Sequence, residues 1–152
     1  MKLVDLLSPE AVTLDLKSQG KREVLEELCL LLANAKKLPD PQALLRTLVD
    51  RESLGSTGIG QGVAIPHGKS PAVPAQAAAL GISKRGVDFD ALDGEPVYII
   101  FLVAAPPDAA GLHLKALAKI SRLLKDKSFR QALRDAPSVD QVMKILGGED
   151  DY

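Results

Sequence analysis

Two periods of apolar and polar residues in the first third of the chain predict a strand followed by two helices. Residues 12–17 alternate apolar and polar positions, the period of two that is typical of a half-buried strand. From residue 21 the apolar positions recur at helical spacing, which predicts a helix over residues 20–36. Asp40-Pro41 fits an N-cap with proline at the first helical position, so a second helix is predicted to run to about residue 51 or 54.

Two apolar runs in the second half of the chain predict strands. Residues 75–83 are rich in small apolar side chains, which predicts a buried strand that ends at the turn signal Lys84-Arg85-Gly86. Residues 97–103 carry the strongest strand pattern of the chain and are apolar on both faces. That pattern is expected of a strand at the centre of a covered sheet.

Helical patterns follow that strand to the end of the chain. Residues 109–125 predict a helix whose apolar face includes Leu114. Ser128 and Ser138 each begin a capping-box pattern, which predicts two short helices, the last of them ending at Gly147-Gly148. Because strands alternate with helices, we predict an α/β (α+β) fold in which a mixed β-sheet is flanked by helices on both sides as a single layered domain.

The composition is that of one globular domain. With 152 residues, 46% of them hydrophobic, we expect one domain over residues 1–148 and a frayed acidic tail over residues 149–152. A net charge of −1 and an aromatic content of 3% argue against a nucleic-acid partner. The longest apolar run, residues 97–105, is about half of a membrane span, and the N-terminus lacks a signal peptide's apolar core. We therefore expect a cytoplasmic domain, fused to no other module, that inserts into no membrane.

Cysteine and histidine are too few for a disulfide or a zinc site. Cys29 is the only cysteine, and it falls in the middle of an apolar helix, where a buried structural thiol is expected. The two histidines lie far apart along the chain. We therefore expect neither a metal nor another cofactor.

The stretch Gly55–Lys69 crowds glycines, two hydroxyls, a lysine and one of the two histidines together. This composition predicts a functional loop rather than a helix or a strand. The spacing fits neither a P-loop nor a dinucleotide fingerprint, because Val63 stands where each requires a glycine. The sequence therefore gives little support to nucleotide binding.

His67 is the candidate reactive group of this loop. Pro66 restricts the backbone before it, and Gly68 removes a β-carbon that would block a reacting partner. A neutral imidazole can take a phosphoryl group without a separate base to deprotonate it. The phosphoryl oxygens would then need donors, which could be the N–H groups of the loop, the hydroxyls of Ser56 and Thr57, a helix N-terminus or another cation.

Three further residues could stabilise such an anion. Gly58 belongs to the same glycine loop. His113 falls in the first turn of its predicted helix, where free N–H groups and the helix dipole favour an anion, although a lone histidine can equally be structural. Arg51 is predicted at the end of the second helix, where it either complements the helix dipole or reaches an anion held by the loop.

Two segments resemble a known family. The runs Asp50–Gly60 and Ala64–Lys69 closely resemble the enzyme IIA domains of the bacterial phosphotransferase system, fructose/mannitol type. Leu112-His113-Leu114 with Leu117-Ala118 resembles the family's second histidine segment. Gln61-Gly62-Val63 departs from relatives, which often carry Asn and Ile there. As a lone domain of this length, the chain looks most like the nitrogen-related regulatory branch.

The resemblance implies a chemistry for each site residue. His67 would be the phosphorylated nucleophile, through Nε2, and His113 and Arg51 would stabilise the phosphoryl group and its transfer. The donor would be the phosphorylated histidine of the small phosphocarrier protein, which enzyme I charges from phosphoenolpyruvate. The implied fold is a mixed sheet flanked by helices, in agreement with the pattern.

The leading hypothesis is therefore a phosphoryl carrier that acts mainly as a regulator through a downstream protein. Two alternatives stay open. One is a sugar-specific carrier that passes phosphate to a fructose- or mannitol-type permease domain. The other is a regulatory binding module whose unmodified and phosphorylated forms bind partners differently by charge alone.

Overall fold

Six α-helices and a six-stranded mixed sheet make up the part of the chain that the computed structural model describes, residues 2–150. This architecture confirms the predicted fold class. The helices are α1 (Leu3–Leu6), α2 (Lys21–Lys36), α3 (Pro41–Ser53), α4 (Ala110–Leu124), α5 (Lys127–Asp135) and α6 (Val139–Asp150), and a single 3-10 turn spans Pro9–Ala11. The strands are β1 (Val12–Thr13), β2 (Gly58–Gly60), β3 (Val63–Ala64), β4 (His67–Lys69), β5 (Ala77–Val87) and β6 (Val97–Ala105).

Strand β6 is the centre of the sheet. It pairs antiparallel with β5 on one side and parallel with both β3 and β4 on the other. The strand order is β1-β5-β6-β3-β2, with β4 continuing along β6 beyond β3. All residues of β6 except the half-buried Tyr98 are buried, so both of its faces are covered. The prediction of a central strand is confirmed.

The first two long helices form as predicted. The Asp40 carboxylate accepts a hydrogen bond from the backbone N–H of Ala43 at 3.1 Å, which caps α3 ahead of Pro41. Cys29 of α2 is buried, and this burial, together with the charge of Glu26, raises the pKa of its thiol to about 12. The thiol is therefore a core side chain. None of the helices within residues 2–150 has the length and apolar composition that crossing a bilayer requires.

The glycine-rich stretch is not a loop, and that prediction is wrong. Strands β2 and β3 form a hairpin around Gly60, Gln61 and Gly62, whose φ angles are +96°, +59° and +79°. Strand β4 then pairs with the last residues of β6, and His67 lies opposite Val103. The edge of β6 supplies hydrogen-bond partners that composition alone does not reveal, and these offset the cost of ordering glycines.

The predicted turn at residues 84–86 is also wrong, because β5 continues to Val87. Its pairing with β6 shifts register between Ile82 and Val87, and the Ser83 hydroxyl accepts a hydrogen bond from the Gly86 N–H at 2.9 Å. The residues predicted to form a turn therefore form an irregularity in the pairing of one long strand.

Two details of the later helices differ from the pattern. Leu114 is 67% exposed, and the buried face of α4 instead includes His113, one position earlier in the chain. Helix α5 is capped by Asp126, which accepts bonds from the N–H groups of Ser128 and Phe129, so Ser128 is not its cap. The cap predicted for α6 does form, because the Ser138 hydroxyl accepts a bond from the N–H of residue 141.

Helix α6 runs through the two glycines and ends at Asp150. The Asp150 carboxylate accepts hydrogen bonds from the N–H groups of Leu3 and Val4 at 2.8 and 3.0 Å and from Lys119 Nζ at 2.7 Å. These bonds hold the end of the helix, so the prediction of a frayed tail is wrong for residues 149–150. The sequence pattern could not show this, because the partners of Asp150 lie far away along the chain. Residues 151–152 of the predicted tail lie outside the described residues.

We expect Asp150→Asn to destabilise the protein at neutral pH by about 1.5–3 kcal/mol, the usual contribution of hydrogen bonds to a charged group. Burial raises the pKa of Asp150, but the bonds from Lys119, Leu3 and Val4 and the Lys119 charge outweigh it, so this pKa is lowered from 3.8. The stabilisation is therefore complete above about pH 4 and is lost as the pH falls through the folded-state pKa.

Urea unfolding at a series of pH values measures this effect. The exposed Asp15 provides the matched control, because Asp15→Asn should change stability little at any pH. A loss for Asp150→Asn that stays constant down to pH 2 would show that the carboxylate charge is not what holds the two chain ends together.

Candidate functional site

The three residues predicted to carry the chemistry line one cavity. Its volume is about 460 Å³, and its walls come from the end of α3, from β4 and from the beginning of α4. Arg51, His67 and His113 all contribute to this lining, together with Gly68 and Lys69. The sheet and two helices thus bring together side chains that are far apart in sequence.

The geometry of His67 selects one ring nitrogen. Its Nδ1 lies 2.8 Å from the carbonyl oxygen of Ile65. Because a carbonyl only accepts hydrogen bonds, Nδ1 carries the proton and Nε2 keeps its lone pair. Pro66 anchors the backbone between the two residues, since its carbonyl accepts a bond from the Val103 N–H at 3.0 Å. When the half-buried His67 ring is neutral, this bond leaves the lone pair on Nε2, which is then the nucleophilic nitrogen.

His113 lies beside His67 at the first turn of α4. The two ring centroids are 5.7 Å apart and the ring planes meet at 52°. The His113 side chain is buried, and neither ring nitrogen has a hydrogen-bond partner among residues 2–150. Burial, the charge of His67 and the charge of Lys69 all lower the pKa of His113. His113 is therefore a neutral imidazole at neutral pH, whose N–H is available to an anion at this site.

Arg51 and Lys69 supply positive charge. Arg51 occupies the last turn of α3, and its Nη1 donates a hydrogen bond to the carbonyl of Gly55 at 2.9 Å. The guanidinium thus satisfies a carbonyl just beyond its own helix and also lines the cavity. This bond fits the interpretation of Arg51 as a cation at the end of its helix, and its role towards an anion stays a prediction. Lys69, for which the sequence predicted no role, adds a second cation to the lining of the cavity.

Gly68 is a glycine because α3 packs closely against β4. A β-carbon at residue 68 would lie 2.7 Å from Cγ2 of Thr47, well inside van der Waals contact. The glycine therefore makes room for the helix that carries Arg51, whereas the sequence suggested room for an incoming reactant.

The structure does not bring Ser56, Thr57 and Gly58 into the cavity lining. The Ser56 hydroxyl donates to the Phe89 carbonyl at 3.3 Å and accepts from the Gly58 N–H at 3.0 Å. Thr57 is buried and donates its hydroxyl and its N–H to the carboxylate of Glu52. These groups hold the glycine-rich segment in place, so their hydroxyls are engaged away from His67.

Sequence reasoning missed two further features around the cavity. Glu52, next to Arg51, is a buried carboxylate that also contacts Lys21 Nζ at 3.1 Å. Leu54 and Leu114 line the cavity although they are 83% and 67% exposed. Exposed leucines beside a polar site are typical of a surface that contacts another protein. A signal for Leu54 was present, because residue 54 is one of the two ends predicted for α3 and stands directly before the glycine-rich stretch.

Comparisons with known proteins find relatives that match almost the whole chain. The family model described as "Phosphoenolpyruvate-dependent sugar phosphotransferase system, EIIA 2" matches residues 5–148. A nitrogen regulatory protein of Bradyrhizobium diazoefficiens is 39% identical over 148 residues, which cover 96% of this chain and 95% of that protein. The crystal structure of nitrogen regulatory protein IIA-Ntr from Neisseria meningitidis superposes with a TM-score of 0.88 at 38% identity, covering 95% of this chain and 98% of the other.

A relative of different organisation is equally similar. The fructose-specific EIIABC component of Bacillus subtilis is 41% identical over 150 residues, or 99% of this chain. The chain spans only 24% of that longer protein. Similarity therefore extends to relatives named for regulation and to relatives named for sugar transport.

Proposed function

Because this chain belongs to the EIIA 2 family of the phosphoenolpyruvate-dependent sugar phosphotransferase system, we propose that it carries a phosphoryl group on Nε2 of His67. As a family member it is a phosphotransferase component that transfers phosphate through a histidine. The observation that supports His67 best is the bond from Nδ1 to the Ile65 carbonyl, which leaves Nε2 as the nucleophile. His67 also lines the cavity that contains the stabilising side chains.

The proposed transfer is a displacement at phosphorus. The Nε2 lone pair of His67 forms a bond to phosphorus while the bond from phosphorus to the donor's histidine nitrogen breaks, and that nitrogen keeps the electron pair. The proton on Nδ1 stays in place, and the Ile65 carbonyl stabilises the positive ring that results. Such transfers depend on positioning and charge stabilisation more than on covalent machinery.

Arg51, Lys69 and His113 would stabilise the charge of the transferred group. The two cations attract the phosphoryl oxygens, and the neutral His113 can donate one N–H to them. Each acts at the cavity that His67 shares, so the anion needs no donor from Ser56 or Thr57.

We propose the phosphorylated histidine of the small phosphocarrier protein as the donor, in the cytoplasm. A histidine-bearing partner has to approach His67 closely, and Leu54 and Leu114 offer it an apolar contact at the cavity. The recipient of the phosphoryl group, or of the signal, would be a downstream regulatory protein.

A regulatory role is supported by relatives that are named for nitrogen regulation. The nitrogen regulatory relative is 39% identical to this chain, and the IIA-Ntr structure superposes on it with a TM-score of 0.88. The 41% identity to the fructose-specific relative keeps delivery of phosphate to a permease domain as the second candidate. A binding module that responds to phosphorylation by charge alone is compatible with the same site.

The experiment that tests the carrier function is phosphorylation in a purified system. The protein is incubated with labelled phosphoenolpyruvate, enzyme I and the phosphocarrier protein. We expect a label that is labile in acid and stable in alkali, as a phosphohistidine is. A wild-type protein that takes up no label would refute the proposal.

The two roles are separated by a strain that lacks the cognate permease. If the protein is a regulator, its phosphorylation and the response of its target persist in that strain. If it is a sugar carrier, its phosphoryl group has no outlet in that strain, and in a strain that keeps the permease uptake of the sugar should require His67.

A further inference from the structure

A continuous chain of hydrogen bonds joins a buried carboxylate to His67. Glu52 accepts from the N–H of Thr57 at 3.2 Å and from its hydroxyl. The carbonyl of Thr57 accepts from the N–H of Ile65 at 3.0 Å. The carbonyl of Ile65 in turn accepts from Nδ1 of His67 at 2.8 Å. Three links therefore separate Glu52 from the ring whose tautomer decides its reactivity.

Burial of the Glu52 carboxylate is unfavourable in free energy unless other groups compensate for the loss of water, and the residue is only 7% exposed. Here Lys21 Nζ at 3.1 Å supplies the opposite charge, and Thr57 supplies two donors. An ion pair with a buried carboxylate is weak evidence for stability, whereas its bonds fix one particular geometry of the residues that it joins.

The geometry that it fixes is that of the segment leading to β2. Arg51 and Glu52 are neighbours in the last turn of α3, and they bind the segment at two points, Gly55 and Thr57. Strand β2 begins directly afterwards and pairs with β3, which ends one residue before Ile65. A shift of Thr57 would therefore move the carbonyl that orients His67.

We propose that Glu52 is a positioning residue for His67, acting through Thr57 and Ile65 to hold the imidazole as the tautomer with the proton on Nδ1. Its relevance to phosphoryl transfer rests on the proposed function, but its effect on the tautomer does not. Loss of the carboxylate loosens Thr57, weakens the Ile65 acceptor and lets protons populate Nε2 instead. A protonated Nε2 has no lone pair with which to attack phosphorus.

The test is the ¹⁵N NMR spectrum of the histidine rings in the unphosphorylated full chain, above the pH at which they titrate. The chain has two histidines, and His67→Gln assigns their signals. For wild type we expect His67 with Nδ1 protonated and Nε2 unprotonated. Glu52→Gln should shift both nitrogens towards the opposite tautomer and slow phosphoryl acceptance about tenfold, because small misplacements near a reacting atom are costly.

Three variants keep the result decisive. Glu26→Gln is the matched control, because Glu26 forms an exposed ion pair with Arg22. This substitution should change neither the ¹⁵N signals of His67 nor the rate of phosphoryl acceptance. Thr57→Val removes the hydroxyl but keeps the N–H, so it should give a shift in the same direction even if Glu52→Gln folds poorly. Thr57→Ser restores the hydroxyl and should restore the wild-type tautomer.

Failure of this proposal can be told apart from failure of the proposed function. If Glu52→Gln and Thr57→Val lower stability but leave the His67 nitrogens unchanged, Glu52 is merely structural and the positioning role is overturned. If the nitrogens shift as expected while wild type accepts no phosphoryl group, positioning holds and the carrier function fails.

Discussion

His67→Gln is expected to accept no detectable phosphoryl group from the phosphocarrier protein under conditions that label wild type fully. The side chain of glutamine has no nucleophilic nitrogen, because the lone pair of an amide nitrogen is delocalised into its carbonyl. In the neutral ring of wild-type His67, the bond from Nδ1 to the Ile65 carbonyl leaves the lone pair on Nε2. The other imidazole of the cavity, His113, has buried ring nitrogens, so we do not expect it to replace His67 as the acceptor.

The fold should survive this change, so the loss can be assigned to chemistry. His67 is half-buried and loses one hydrogen bond, which contributes about 1 kcal/mol. Measurement combines mass spectrometry of the phosphorylated protein with thermal unfolding of the same preparation. Label retained by His67→Gln would place the acceptor on another residue, and loss of label upon His113→Ala alone would identify that residue.

Much of the fold could be predicted because its signals are local. Strand β6 is a continuous apolar run, and helices α2 and α3 have apolar residues at helical spacing. Helix α3 also begins with its own cap residue. The glycine-rich strands could not be predicted in the same way. Strand β4 forms because β6 offers it hydrogen-bond partners beyond the end of β3. The sequence of residues 67–69 alone does not indicate that these partners are present.

The phase of α4 shows why the site was only partly predictable. A pattern of apolar residues places Leu114 in the core, yet the structure buries His113 and exposes Leu114. Conflict between local pattern and burial is expected where a helix carries a function on its surface. His67, His113 and Arg51 are recognisable as residue types in motifs, whereas the bonds of Glu52 to Thr57 depend on how α3 meets β2.

His113→Ala is expected to slow phosphoryl acceptance by about 10²–10³, the usual effect of removing one donor that stabilises developing charge. The His113 ring lies 5.7 Å from that of His67, and its nitrogens have no other partner among residues 2–150. The variant retains His67 and its bond to Ile65, so the nucleophile is intact and slow labelling should still go to completion. Rapid-quench measurement of labelling separates this slow reaction from the complete loss expected for His67→Gln.

Stability against pH gives an independent test of His113. Because burial, His67 and Lys69 lower its pKa from 6.5, the unfolded chain binds a proton there that the folded protein does not. Wild type therefore loses stability relative to His113→Ala as the pH falls below about 6.5, until the folded-state pKa is reached. If acceptance kinetics are unchanged while this pH effect is present, His113 is a buried structural side chain. If the kinetics change and the pH effect is also present, the buried neutral imidazole is the donor that the phosphoryl group meets.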